Sequence, residues 1–209
     1  MSRPLLISDC DEVLLHMMSH FTAWLGEAHA IDFMPDGADL SRAMRRRADG
    51  ALLTRDEIWP LLDGFFVTEM QRQTVVPGAV DALARLAASA DIVILTNLGD
   101  HHNARRREQL DGFGIRHRVV TNQGGKGEPV ATLLAEYQPS VAVFVDDLAH
   151  HHRSVARHAP AVHRLHMISE PTLAAMVPPA PDAHARIDGW PEAESWIAAR
   201  FAAGAPAGA

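Results

Sequence analysis

Three runs of consecutive apolar residues constrain this chain most, because each stops at polar groups that an apolar core does not tolerate. Leu5-Leu6-Ile7-Ser8 ends at Asp9, Ile92-Val93-Ile94-Leu95 at Thr96-Asn97, and Val141-Ala142-Val143-Phe144-Val145 at Asp146-Asp147. Apolar runs without alternation are the pattern of strands covered on both faces, as in a parallel sheet between helix layers. Weaker strand signals lie at 118–121, 162–167 and 185–187. Helical spacing fills the gaps. Val80, Leu83, Ala84 and Ala87 follow Pro77-Gly78; Val130, Leu133, Leu134 and Tyr137 follow Pro129, suited to a first helical position; Trp196, Ile197 and Phe201 mark a last amphipathic segment. Alternating strand and helix predicts an α/β fold, a Rossmann-like parallel sheet with helices on both faces.

Residues 14–76 break that rhythm. Leu14, Met18, Phe21 and Leu25 share one helical face, and Thr54-Arg55-Asp56-Glu57 fits a capping box ahead of Ile58, Leu61, Leu62, Phe65 and Phe66. Pro60 within that pattern predicts a kink or a later start. No strand is evident here, so the expected organisation is a core from 1–13 and 77–203, a small helical insertion from 14–76, and a frayed tail at 204–209.

Composition excludes several classes. Hydrophobic residues at 47% and charged residues at 22% are ordinary for a globular chain. No apolar run approaches the ~18 residues of a membrane span, and Leu5-Leu6-Ile7 is too short for a secretory leader, so no membrane partner is expected. The single cysteine, Cys10, rules out an internal disulfide and fits a reducing cytoplasm. A formal net charge of −7 makes nucleic acid a poor partner. Oligomeric state has no signature in this sequence.

Open parallel sheets bind ligands beyond the carboxyl ends of their strands, where this pattern gathers Asp9, Asp11, Thr96, Asp146 and Asp147. Lys126 stands in a Gly-rich loop before a helix; Gly124-Gly125-Lys126-Gly127 is not a nucleotide-binding P-loop, since no Ser or Thr follows the Lys. Clustered carboxylates need a cation, and hard oxygen ligands suit Mg²⁺. A Mg²⁺ beside a Lys and a hydroxyl forms a receptor for a phosphoryl group. Asp9 is placed to attack phosphorus, and Asp11 to move protons.

The same residues resemble the four ordered motifs of the haloacid dehalogenase superfamily of phosphatases. They stand as Ser8-Asp9-Cys10-Asp11-Glu12-Val13, Val93-Ile94-Leu95-Thr96-Asn97, Gly125-Lys126-Gly127-Glu128-Pro129 and Val143-Phe144-Val145-Asp146-Asp147, and the resemblance spans about residues 5–160. It implies that Asp9 is nucleophile and metal ligand, and that Asp11 is acid/base and offers its backbone carbonyl to the metal. It further implies that Thr96 and Asn97 hold phosphoryl oxygens, that Lys126 neutralises nucleophile and phosphate, and that Asp146 and Asp147 complete the Mg²⁺ site without settling which binds directly. The insertion would be the cap over the substrate. The implied activity is hydrolysis of a small phosphorylated metabolite through an aspartyl-phosphate; a phosphotransferase or mutase, or a non-catalytic phosphate-binding member, are the alternatives. Glu12 departs from the pattern, standing where many members have Gly. A response-regulator receiver carries similar groups in a different order, with the acid pair first.

Other clusters have plainer readings. His101-His102 and His150-His151-His152 look like metal ligands, but adjacent helical residues point about 100° apart, so solvated surface is the expectation. Arg45-Arg46-Arg47 reads as a solvated helix face, and Cys10 as a packing residue.

Overall fold

The computed structural model describes residues 2–34 and 42–208. Along the chain, β1 (Leu5–Ser8) leads into an excursion of β2 (Leu15–His16), α1 (Met18–His29), β3 (Ile31–Phe33), β4 (Met44–Arg46), α2 (Arg55–Thr68) and β5 (Thr74–Val75). There follow α3 (Ala79–Ala87), β6 (Asp91–Asn97), α4 (Asn103–Gly112), β7 (Arg118–Asn122), α5 (Gly127–Tyr137) and β8 (Ala142–Asp146). The chain closes with α6 (Ala149–His158), β9 (His163–His166), α7 (Pro171–Met176), β10 (Ala185–Arg186) and α8 (Trp190–Ala203).

Six strands form one parallel sheet in the order β10-β9-β8-β1-β6-β7. Period-two alternation explains the apolar runs. Leu6, Ile94, Val143 and Val145 face Leu83, Trp190 and Ile197 of α3 and α8, while Leu5, Ile7, Val93 and Phe144 face Val130, Leu133 and Val155 of α5 and α6. Both faces are apolar because both are covered. Pro129 is the third residue of α5 rather than its first.

The register pairs Ser8 with Ile94 on one side and Val145 on the other. The chain therefore leaves β1 at Asp9 beside the ends of β6 and β8.

The insertion has its own apolar cluster, in which Phe21, Trp24, Leu25, Ile58, Phe65 and Phe66 meet Leu98 from the loop after β6. It is not wholly helical. β3 pairs with β4 and β2 with β5, both antiparallel. Strands of two or three residues are too short to display alternation in sequence. Leu14 belongs to the sheet-side cluster, and α1 begins only at Met18. Arg46 lies in β4 and pairs with Glu57, and Arg47 Nε donates to Asp32 at 2.7 Å, so the arginine run is not a helix face. The capping box is present: Thr54 N donates to the Glu57 carboxylate at 2.9 Å. Nor does Pro60 delay α2, which starts at Arg55; the carbonyl it leaves unbonded belongs to exposed Asp56, open to water.

The tail is tied back, with Ala207 N donating to Ala161 O at 3.0 Å and His163 bonded to Ala205 O at 2.9 Å. Among the described residues, no helix is long and apolar enough to cross a membrane.

Candidate active site

Asp9 projects from the carboxyl end of β1, the strand flanked by β6 and β8. Its backbone N donates to Val145 O at 2.8 Å, and its Oδ1 accepts from Cys10 N at 2.7 Å. Lys126, fully buried at the start of α5, places Nζ 2.7 Å from Asp9 Oδ1 and 2.7 Å from Asp146 Oδ2. Gly127 is required beside it. A Cβ there would lie 2.3 Å from Ser154 O, and its own N donates to Ser154 Oγ at 2.9 Å, so α5 can approach α6 only through glycine.

Carboxylate oxygens of Asp9, Asp146 and Asp147 all lie within 4.8 Å of one another. One ammonium faces three carboxylates, which leaves two negative charges to balance. Burial, opposed by Lys126 and reinforced by Asp146, raises Asp9 to about 7. Burial and the charges of Asp146 and Asp9 also raise Asp147. Asp146 feels the same burial but is held low by Lys126. Burial alone would lower Lys126; the carboxylates of Asp146 and Asp9 outweigh it and raise the ammonium. An oxygen-rich set with unbalanced charge has the chemistry of a Mg²⁺ site.

Thr96, next to last in β6, is fully buried, and its Oγ1 has no hydrogen-bond partner. An orphaned hydroxyl at this position fits an absent oxyanion. The Asn97 side chain is committed to the protein, donating to Gly124 O at 2.8 Å and accepting from Asn122 Nδ2 at 2.9 Å.

Asp11 does not join the carboxylate cluster. Its Oδ1 and Oδ2 accept from Arg106 Nη2 at 3.0 and 3.1 Å, and Gln73 Nε2 donates to Oδ1 at 2.6 Å. Arg106 is fully buried on α4 and also donates to Gln73 Oε1 and Gln109 Oε1, each at 3.1 Å. The group expected to move protons is thus gripped by a clamp from α4 and from Gln73, just ahead of β5. Sequence reasoning missed this clamp, because Arg105-Arg106-Arg107 looks like solvated surface. The available signal was helical phase: Arg106 shares a face with buried Gln109 and Leu110.

Glu12 has φ 59°, the left-handed region that explains the glycine of the resembled motif. Its buried Oε1 accepts from Met17 N at 2.8 Å and Met18 N at 2.6 Å, capping α1, while Oε2 has no partner. The departure therefore ties the Asp9–Glu12 loop to the insertion's first helix. Burial, opposed by those two bonds, raises Glu12 to about 7.

Of the second histidine cluster only His150 is exposed as expected. His151 and His152 are fully buried, and His152 Nε2 bonds to Asp146 O at 3.0 Å. His166 accepts from Ala180 N through Nδ1 at 2.9 Å, so its Nε2 carries the proton donated to Asp147 O at 2.8 Å. These rings brace the backbone of the Asp146-Asp147 pair. Cys10 is buried against Arg106, and burial raises its thiol far above the usual range, in keeping with a packing role.

No family model and no curated protein matches the sequence. Solved structures do match. A haloacid dehalogenase-like hydrolase of Burkholderia xenovorans superposes with a TM-score of 0.63 at 15% identity, covering 96% of this chain and 99% of that one. A haloacid dehalogenase-like family hydrolase of Streptococcus pneumoniae gives 0.62 at 14% identity, covering 92% and 97%. A Lactobacillus plantarum protein assigned as a phosphoglycolate phosphatase gives 0.64 at 14% identity, covering 93% and 99%. At such identities the likeness speaks for architecture alone, and on that evidence the chain has the fold of the haloacid dehalogenase-like hydrolases.

Proposed function

We propose that this chain is a Mg²⁺-dependent phosphomonoester hydrolase acting on a small phosphorylated metabolite in the reducing cytoplasm. One observation carries the reading: buried Lys126 bridges Asp9 and Asp146 at 2.7 Å each, with the orphaned Thr96 hydroxyl at the end of the adjoining strand. Asp9, Asp146, Asp147 and the Asp11 carbonyl would hold the ion, which when bound neutralises phosphoryl charge. Lys126 holds the Asp9 carboxylate in place and shares the charge of the incoming phosphate. A carboxylate oxygen of Asp9 forms a bond to phosphorus as the ester oxygen leaves, giving an aspartyl-phosphate. Thr96 Oγ1 and the Asn97 backbone amide receive phosphoryl oxygens.

Asp11 supplies the proton to the leaving oxygen, then removes one from the water that cleaves the acyl phosphate. Both of its oxygens are bound in this structure, so that work requires the carboxylate to turn away from Arg106 and Gln73. Transfer to a second alcohol in place of water would give a phosphotransferase or mutase from the same intermediate.

Hydrolysis of an aryl phosphate and of a metabolite panel, with and without Mg²⁺, tests the reading. Turnover should vanish on chelation, return with Mg²⁺, and be lost in Asp9→Asn. Full activity in metal-free protein, or in Asp9→Asn, overturns it.

A further inference from the structure

A second convergent set of side chains lies where the insertion meets the sheet domain. Asp63 sits on α2, while His101 and His102 occupy a single 3-10 turn, Asp100–His102, between β6 and α4. In this turn the adjacent rings do not diverge. Their centroids are 3.9 Å apart, and both Nε2 atoms reach the same oxygen, Asp63 Oδ1, at 3.0 Å from His101 and 2.8 Å from His102. The three ligand atoms lie within 4.8 Å of one another.

Hydrogen bonding alone leaves this arrangement poorly used. Were both rings protonated, two cations would face each other at 3.9 Å. With both rings neutral, or one of them protonated, two donors would share one oxygen of a carboxylate that is 54% exposed, where such bonds and ion pairs add little. A divalent cation draws on all three groups at once. Two imidazoles and one carboxylate form a nitrogen-rich set that selects zinc-class transition ions over Mg²⁺. Tetrahedral zinc with bonds of about 2.0–2.1 Å places its ligands about 3.3 Å apart, so the two imidazole-to-carboxylate distances of 3.0 and 2.8 Å must open by a few tenths of an ångström, and the two Nε2 atoms, within 4.8 Å of one another, must settle at that same spacing. His101, with 65% of its side chain exposed, has room to give, and its exposure with that of Asp63 provides an entry path. His102, with 3% exposed, is the fixed member, packed against Phe66.

We infer that Asp63, His101 and His102 form a transition-metal site, with zinc as its natural class of ion and water in the fourth position. The ion would pin α2 of the insertion to the loop that follows Thr96 and Asn97. This inference stands apart from the phosphatase reading, since it uses none of the groups assigned to hydrolysis.

Zinc binding to the full chain, measured by calorimetry in excess Mg²⁺ so that the Asp9 cluster is occupied, tests it. One equivalent of Zn²⁺ should bind with micromolar or tighter affinity and raise the melting temperature. Asp63→Asn and His101→Ala, both at exposed positions that should leave folding intact, should each weaken binding more than the roughly 10–100-fold typical of losing an outer-shell partner. Co²⁺ in place of Zn²⁺ should give tetrahedral visible absorption in the parent chain and not in the variants. Absence of tight binding overturns the inference. So does zinc binding that survives both substitutions, or that Mg²⁺ displaces in a one-to-one exchange.

Discussion

Arg106→Met removes a guanidinium from a fully buried site while keeping an unbranched chain of similar length. It deletes two hydrogen bonds to Asp11 at 3.0 and 3.1 Å, strips Gln109 Oε1 of its donor, and leaves Gln73 Oε1 only the long bond from Gln109 Nε2 at 3.5 Å. Breaking a buried ion pair from one side costs about 3–5 kcal/mol, because the other charge is left uncompensated. The Asp11 side chain is 17% exposed and can be partly rehydrated, which places the cost near the lower limit. About 3 kcal/mol in a chain of this length lowers the melting temperature by roughly 6–12 °C. Asp11→Asn alone should also destabilise, since it strands the buried Arg106. The double variant should lose less than the sum of the two, with a coupling of about 2 kcal/mol. Urea denaturation of the four proteins closes this cycle. Additivity within about 0.5 kcal/mol, or an Arg106→Met loss under about 1 kcal/mol, would show that the clamp is not an energetic unit.

Asp11→Asn should release about one equivalent of nitrophenolate from an aryl phosphate in a burst and then turn over about 10²–10⁴-fold more slowly than the parent chain, since this leaving group needs no proton but the acyl phosphate still needs a base; rapid-quench kinetics with mass analysis should find the adduct on Asp9, and an adduct on Asp146 or Asp147 would reassign the nucleophile. Burial, partly opposed by the bond to the Asp147 carbonyl, lowers His166 from 6.5 to about 4. The unfolded chain therefore takes up that proton first, so the contribution is complete above about pH 6.5 and is lost as pH falls towards 4. Thermal melts across that window should be less steep with pH in His166→Gln, and an unchanged slope would discard the assignment. Glu12→Gly gives up a helix cap worth about 1 kcal/mol and relieves a left-handed backbone costing roughly 1–2 kcal/mol, so stability should hardly move while KM for the proposed hydrolysis rises as the Asp9–Glu12 loop is untied from α1. A stability loss above about 3 kcal/mol would show that the cap bonds dominate.

The sheet was legible because its physics is local: a strand buried on both faces must be apolar at every position, and Leu5–Ile7, Ile92–Leu95 and Val141–Val145 satisfy that without reference to anything distant. The acids and hydroxyl at their ends were legible as polar stops, and only their recurrence at the ends of Leu5–Ser8, Ile92–Leu95 and Val141–Val145, with Lys126 between the last two, set them apart from ordinary turn and cap residues. Pairing across the sequence was not legible. That Arg106 rather than Arg105 or Arg107 turns inward to Asp11, and that His152 and His166 brace the Asp146-Asp147 backbone, depends on which face of α4, α6 and β9 the sheet covers. The meeting of His101 and His102 at Asp63, some 40 positions earlier, depends likewise on how α2 lies over the loop after β6. Glu12 divides between the two: its type and place were visible, but its cap on α1 rests on a left-handed turn that no periodicity encodes. Polar side chains have no period of their own, and a buried charge is placed by the partner that compensates it, which the fold alone brings within reach.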